Sequence, residues 1–321
     1  VGSRQQIAKR LETLGVVWKE YTPSGQPVVN EKTLDIDLRE AQLCKEYLGL
    51  VKLKGMVDSW LSAVNNDTGR IHGYVNPCGA VTGRMTHSKP NLAQIPSLPE
   101  ARKCFTVEMN NVLVGCDASG LELRCLAHYM NDETYTQEIL HGDIHTTNQR
   151  AAGLGERNQA KTFIYAFLYG AGDAKIGSIV GGSAQDGKRL KDKFLSNTPA
   201  LGRLRKRVAQ AATKGTLRGI DGRLVHVRSE HAALNTLLQS CGAIVMKVAI
   251  DKCVKRLNEL GIPFMLVGQI HDEFQIETPE HFGKAVGMIA RQSIIDAGVT
   301  LNMNCPLDGE YHIGHNWSET H

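Results

Sequence analysis

Carboxylate side chains occur at two widely separated points of the chain, each at the end of an apolar stretch. Asp117 follows the apolar run 112–115, and the sequence His-Asp-Glu at 271–273 separates two further apolar runs. Such runs predict buried strands, so the two acidic groups could meet at one edge of one sheet. Carboxylates held together away from water repel each other. Two Mg²⁺ ions would remove that repulsion and could clamp an in-line phosphoryl displacement.

Each acidic group also has a purely structural interpretation. Asp117 could N-cap the helix that the apolar spacing predicts over 121–130, and for this residue alone that is the more common role. The acids at 272 and 273 are typical of the tip of a β-hairpin, and polar hairpin tips are usually solvated turns.

A helix with one basic and aromatic face is predicted between the two acidic groups. Arg157, Lys161, Tyr165 and Tyr169 recur every four residues, so they share one slowly rotating helix face. The opposite face is apolar, and glycines at 170 and 172 predict the helix end. Two cations one turn apart, with His145 upstream, suit a triphosphate, while the aromatic rings suit a base or sugar. An ordinary amphipathic helix explains this stretch equally well.

Three motifs, in this order, resemble the polymerase motifs of family A DNA polymerases: DASGLELR from residue 117, R-x3-K-x3-Y-x3-YG from residue 157, and HDE from residue 271. The stretches TGRMTHSKPNLAQIP, AKTFIYAFLYGAG and DGRLVHVRSEHAALNTLLQS and the ending NWSETH are more similar to the T7-like phage branch than to the bacterial one. The similarity extends over nearly the whole chain. It implies an α+β fold, the polymerase right hand with an antiparallel-sheet palm, helical fingers and a partial helical thumb.

The resemblance implies a catalytic and metal-binding role for five residues. Asp117 and Asp272 would bind two Mg²⁺ ions, with the carbonyl oxygen of Ala118 as a further ligand. Glu273 would be a supporting catalytic carboxylate. Lys161 could protonate the departing pyrophosphate.

The resemblance also implies a nucleotide site and a DNA-binding surface. Glu122 resembles a steric gate that fills the space of a ribose 2'-hydroxyl and is held by a tyrosine. The residues implied to bind the nucleotide are His145, Arg157, Lys161, Tyr165, Tyr169 and Glu122. The residues implied to contact DNA near the primer end are Arg84, Gln94, Arg228, Asn235, Gln239 and His271, several of them through minor-groove acceptors common to all correct base pairs.

The implied function is template-directed DNA synthesis, which adds deoxynucleoside triphosphates to a primer 3' end in phage-type replication. Implied partners are primer-template DNA, deoxynucleoside triphosphates and either upstream polymerase and exonuclease domains or a processivity factor. One alternative is a catalytically incomplete fragment that binds primer-template DNA and needs upstream domains for activity. A second is an RNA-synthesising enzyme, which the Glu122 gate disfavours.

The motifs also divide the chain. We expect the later part of a thumb at 1–66, a discontinuous palm at 67–130 and 223–321, and fingers at 131–222. Asp35 and Asp37 resemble the paired acids of a proofreading exonuclease, but too few residues surround them for such a domain. We expect a solvated turn there, before a helix over 38–50, and no exonuclease in this chain.

Charge and cysteine usage are consistent with these expectations. The net charge is only +4, but residues 186–228 hold 12 Lys or Arg against 3 Asp or Glu, which suits phosphate binding. A solubilising helix surface would show the same charge. The 8 cysteines include no C-x2-C pair, which predicts neither a zinc site nor a disulfide framework and indicates a cytoplasmic protein, in a bacterial host if phage-encoded. The sequence contains no run of ~18 apolar residues, so it does not predict a membrane span.

Overall fold

The structure is a computed structural model that describes residues 2–321. The chain forms two compact units, one ending at Tyr74 and one running from Val75 to His321. The helices are α1 Arg4–Thr13, α2 Arg39–Ser62, α3 Pro99–Arg102, α4 Leu121–Met130, α5 Glu133–His141, α6 Ile144–Ala152, α7 Arg157–Leu168, α8 Asp173–Ser178, α9 Ala184–Asn197, α10 Pro199–Ala212, α11 Ala233–Glu259 and α12 Gly283–Thr300. The strands are β1 Tyr74–Asn76, β2 Thr86–Ser88, β3 Asn111–Ala118, β4 Thr216–Arg218, β5 Leu224–His226, β6 Met265–Ile270, β7 Glu273–Pro279 and β8 Gly309–Gly314.

The smaller unit is helical, with a core of its own in which Leu11 and Leu34 are almost completely buried. The helix predicted over 38–50 is longer in the structure, because α2 continues to Ser62. No proline interrupts the additional turns, and Lys54 pairs with Asp58 at a favourable i,i+4 spacing. Asp35 lies in the turn before α2 and pairs with Lys45 at 2.8 Å.

A four-stranded antiparallel sheet organises the larger unit, with strand order β6-β7-β3-β8. β3 is central, and its Asp117 lies opposite Glu273 on β7 and Glu310 on β8. The sheet therefore joins one strand from before residue 131 to three strands from after residue 222.

The two faces of this sheet differ in polarity because side chains alternate along each strand. On one face Val112, Val114 and Cys116 of β3 enter the main hydrophobic core, against which α12 packs. On the other face β7 presents Glu273 and Gln275, which are buried although they are polar.

α11 is a core helix. Among residues 2–321 it belongs to the one helical stretch, Glu230–Glu259, that is long and apolar enough to cross a membrane by length and composition. However, 61% of the apolar 18-residue segment within this stretch is buried inside the protein, where the helix packs against α12 and α4.

The thumb, palm and fingers segments remain predictions. The larger unit contains most of the predicted palm together with all of the predicted fingers, and it begins at Val75 rather than at residue 67.

Candidate active site

Asp117 lies at the end of β3, not at the start of the following helix. The N-cap of α4 is Gly120, which has a left-handed φ of 59° and has no side chain that could cap the helix. Glycine adopts that conformation at little cost. The interpretation of Asp117 as a helix cap is therefore wrong, and its carboxylate is not engaged in capping α4.

Asp272 lies at the tip of the β6-β7 hairpin, beside the end of β3. The backbone N–H of Ala118 donates to the carbonyl oxygen of Asp272 at 3.0 Å, which fixes the tip against the strand that carries Asp117. His271 occupies the left-handed region with φ 58° at the same tip. The predicted convergence of the two acidic groups at one sheet edge is confirmed.

Both aspartates line one open cavity of about 360 Å³. The wall also includes Ala118 and, from the predicted nucleotide site, Glu122, Tyr165 and Tyr169. Arg84 and His271, which were predicted to contact DNA, complete the polar lining. The structure therefore places residues of all three predicted groups around one space.

The environment of Asp117 opposes its ionisation. Burial is the largest cause, followed by the charges of Asp272, Glu273 and Glu310, and together they raise the pKa of Asp117 to about 7. A group of carboxylates with this property favours a bound cation, which would stabilise the ionised form.

The donor set fits Mg²⁺. It offers two aspartate carboxylates and the Ala118 backbone, all hard oxygen donors, and Mg²⁺ in phosphoryl-transfer sites is usually held by one or two carboxylates together with substrate phosphates. Within residues 2–321 no cluster of three or more His, Cys, Asp or Glu side chains has the arrangement of a complete protein-only metal site.

Glu273 does not lie in a solvated turn and does not line the cavity. It is the first residue of β7 and only 3% exposed. Its Oε1 accepts a hydrogen bond from Nε1 of Trp317 at 2.7 Å and another from the Gln275 amide, and its Oε2 pairs with the imidazole of His321. The C-terminal residues thus hold this carboxylate beside Asp117.

Two side chains hold the carboxylate of Glu122. Tyr169 Oη donates to Oε2 at 2.8 Å, and Arg84 Nη2 donates to Oε1 at 3.3 Å. Burial and the hydrogen bond to Glu122 raise the pKa of Tyr169 above its usual range, so its hydroxyl remains protonated and can donate. Glu122 therefore has a fixed position on the cavity wall.

The predicted basic face forms at the junction of α6 and α7. Asp143 caps α6 and also accepts two hydrogen bonds from the Arg157 guanidinium, at 2.7 and 3.1 Å. Burial, Arg157 and Lys161 lower the pKa of His145, whose ring lies 6.5 Å from that of Tyr165. His145, Arg157 and Lys161 thus form a basic group, and Tyr165 beside them lines the cavity.

The predicted apolar face and end of α7 are also observed. The residues of that face, Phe163, Ile164, Phe167 and Leu168, are buried. Gly170 follows the helix with φ 76°, and a Cβ there would come within 2.5 Å of the carbonyl oxygen of His231. Glycine is thus required at the end of α7 both by φ and by space.

Four of the predicted DNA contacts lie outside the cavity wall. Gln94 and Arg228 are exposed. Asn235 and Gln239 are half-buried and lie one turn apart on α11, so they share a helix face.

Sequence reasoning did not identify Gln275, Trp317 and His321 as partners of Glu273. The ending NWSETH, one of the stretches similar to the phage branch, was the available signal, but it did not indicate which residue the segment contacts.

Comparison with known proteins identifies the family. The sequence model of the protein family described as "DNA polymerase family A" matches residues 1–319. The chain belongs to DNA polymerase family A. It is 44% identical over 368 aligned residues to the DNA-directed DNA polymerases of Enterobacteria phage T3 and Escherichia phage T7, an alignment that covers 99% of this chain and 52% of each relative.

The fold is that of the polymerase portion of the family. The structure resembles the POL domain of Pol1 from M. smegmatis, solved in complex with DNA primer-template and dNTP, with a TM-score of 0.89 and 24% identity. That likeness covers 99% of this chain and 61% of the M. smegmatis chain. The α+β right-hand fold predicted from the sequence is confirmed. The chain spans about half the length of the curated phage relatives that it matches.

Proposed function

We propose that this family A chain carries out template-directed DNA synthesis, adding deoxynucleoside triphosphates to a primer 3' end by nucleotidyl transfer. The observation that carries the proposal is the convergence of Asp117 and Asp272 in a cavity whose wall includes Glu122, Tyr165 and Tyr169. The names of the phage T3 and T7 relatives, DNA-directed DNA polymerase, support the same reaction.

The carboxylates of Asp117 and Asp272, with the Ala118 carbonyl, would hold two Mg²⁺ ions. When bound, these ions would act as Lewis acids on the transferring phosphoryl group and favour the nucleophilic form of the primer 3'-hydroxyl. Glu273 would act from outside this set of ligands, because its Oε1 accepts from the Trp317 indole and the Gln275 amide and its Oε2 pairs with the His321 imidazole.

The basic group at the junction of α6 and α7 would bind the triphosphate. Arg157 and Lys161 place positive charge near His145, whose ring lies beside that of Tyr165, and an arginine fork suits phosphate oxygens. Arg157 would have to share or exchange its present partner Asp143. Lys161 is exposed and can donate a proton to the departing pyrophosphate.

Tyr165 and Glu122 would select the nucleotide. Tyr165, whose side chain lines the cavity, would lie against the base and sugar, and the carboxylate of Glu122, held by Tyr169, would fill the space of a 2'-hydroxyl. Arg84, Gln94, Arg228, Asn235, Gln239 and His271 would bind primer-template DNA. The thumb, palm and fingers assignments given above belong to the same proposal, as do upstream domains or a processivity factor and a host-cytoplasmic location.

A primer-extension assay tests this function. The chain would be mixed with Mg²⁺, one deoxynucleoside triphosphate at a time and four primer-templates that differ only in the first template base. We expect each template base to select its complementary nucleotide. Tight DNA binding without extension, with extension restored by adding the part of a phage relative that this chain does not cover, would contradict independent activity and favour the fragment alternative. Extension that prefers ribonucleotides would favour the RNA-synthesising alternative.

A further inference from the structure

Arg223 connects three segments of the larger unit. It lies just before β5, in the turn of the β4-β5 hairpin. Its Nη2 donates both to the carbonyl oxygen of Thr82 and to Oγ of Ser240 on α11, each at 3.3 Å. Asp221 lies 3.6 Å from its Nε and balances its charge. One guanidinium therefore joins a loop, a hairpin and a core helix.

The loop residue next to this contact has no room for a side chain. A Cβ at Gly83 would lie 2.4 Å from Nη2 of Arg223, and Gly83 has a left-handed φ of 79°. The guanidinium and the loop backbone thus pack directly against each other. A second contact, from Lys247 Nζ on α11 to Sγ of Cys78 at 3.4 Å, holds the same loop further upstream.

The segments that Arg223 joins carry residues of the proposed DNA-binding surface. Arg84 follows Gly83 directly and reaches Glu122 at the cavity. Gln239 precedes the fully buried Ser240 on α11. Arg223 itself does not line the cavity, so it is placed to act through its neighbours.

We propose that Arg223 is a positioning residue that fixes the loop 82–84 against α11, so that Arg84 meets the minor groove at the primer end. The proposal rests on the proposed function, because it assigns the alignment of a DNA contact within that function. Arg84 must place a donor near one acceptor of the terminal base pair, and hydrogen-bond strength falls steeply with misalignment. Two contacts from one rigid, planar guanidinium provide that alignment better than a flexible ammonium could.

The test compares a normal primer with one whose terminal guanine is replaced by 3-deazaguanine, which lacks the minor-groove N3 acceptor. For the unaltered chain we expect the replacement to lower kcat/KM for the next nucleotide by ~10- to 100-fold, the effect of one hydrogen bond to a charged group. In Arg223→Ala the normal primer should already be poor, and the additional effect of 3-deazaguanine should fall to about twofold or less, because the contact is already lost.

Two further variants separate positioning from general destabilisation. Gly83→Ala keeps Arg223 but should displace its guanidinium, so the 3-deazaguanine effect should shrink as in Arg223→Ala. Arg256→Ala is the matched control, because Arg256 also bonds a serine hydroxyl, that of Ser293, and an aspartate, yet lies at the contact of α11 with α12. It should retain the full 3-deazaguanine effect.

A full 3-deazaguanine effect in both Arg223→Ala and Gly83→Ala would overturn the positioning role. If thermal denaturation shows that Arg223→Ala is not folded, the 3-deazaguanine effect in Gly83→Ala alone decides whether Arg223 positions the loop. Absence of extension by the unaltered chain would contradict the proposed function and not this inference.

Discussion

Tyr169 donates a 2.8 Å hydrogen bond from its hydroxyl to Oε2 of Glu122. This bond and the Arg84 contact on the other oxygen hold the carboxylate at one position on the cavity wall. A carboxylate held at both oxygens can exclude a hydroxyl group from the space beside it, whereas a mobile side chain would yield.

We expect Glu122→Ala to raise the ratio of ribonucleotide to deoxyribonucleotide incorporation by roughly 10- to 100-fold, which is the range that pocket shape can supply. Tyr169→Phe should raise the ratio by a smaller factor, because the hydrogen bond from Arg84 to Glu122 remains. Single-nucleotide extension with paired ribo- and deoxyribonucleotides measures both. Unchanged sugar discrimination in Glu122→Ala would refute the gate.

The hydroxyl of Tyr165 gives a second prediction about the sugar. Burial, and then the charges of Glu122, Asp272 and Asp117, raise the pKa of Tyr165, so its hydroxyl remains protonated. We expect this hydroxyl to compensate for a missing 3'-hydroxyl, so that dideoxynucleotides are accepted readily. Tyr165→Phe should discriminate against them about tenfold more strongly. Equal dideoxynucleotide discrimination by both proteins would show that the hydroxyl has no such role.

The raised pKa of Asp117 predicts how stability depends on pH without metal. Its folded-state pKa of about 7 exceeds the usual value near 3.8, so between these values the folded chain holds a proton that the unfolded chain has released. Stability should therefore fall as pH rises through this window, by at most about 1.4 kcal/mol per pH unit.

Thermal unfolding at pH 5 and pH 8, with EDTA or with Mg²⁺, measures this effect. Mg²⁺ should raise Tm more at pH 8, where the site is ionised, than at pH 5. Asp117→Asn should lose much of the pH dependence and be at least as stable as the unaltered chain at pH 8 in EDTA. An unchanged pH dependence in Asp117→Asn would show that Asp117 is not the titrating group.

The indole of Trp317 provides a test of the buried carboxylate. Trp317→Phe removes the N–H donor to Glu273 and should cost about 1–3 kcal/mol, because a buried carboxyl oxygen loses a hydrogen-bond partner. Trp18→Phe is the matched control, since Trp18 is also 6% exposed but its Nε1 has no hydrogen-bond partner among residues 2–321. Denaturant unfolding should show a smaller loss for Trp18→Phe. Equal losses would mean that ring volume, not the hydrogen bond, accounts for the effect.

Local elements with a strong hydrophobic period could be predicted from the sequence. α4 has the predicted bounds, and the Arg157 to Tyr169 spacing correctly places two tyrosines on the cavity wall. The ordered motifs also identified the family and its fold. Periodicity and motif order are local signals, so they are readable without tertiary information.

Tertiary contacts between distant segments were not predictable in this way. Glu273 meets Trp317, 44 residues later, only because the C-terminal segment folds over the polar face of the sheet. Arg223 meets Thr82 across 141 residues. Neither pair has a spacing that marks it, since each depends on where the sheet and α11 place the chain.

The most direct test of a catalytic site built on Asp117 and Asp272 is single-turnover primer extension by Asp117→Asn and Asp272→Asn, with DNA affinity measured on the same preparations. Loss of either carboxylate should remove transition-state stabilisation while phosphate contacts elsewhere keep the duplex bound. We therefore expect incorporation to fall by a factor of at least ~1000, with primer-template affinity changed less than about threefold. Incorporation at ordinary rates by either variant would contradict a catalytic site built on Asp117 and Asp272.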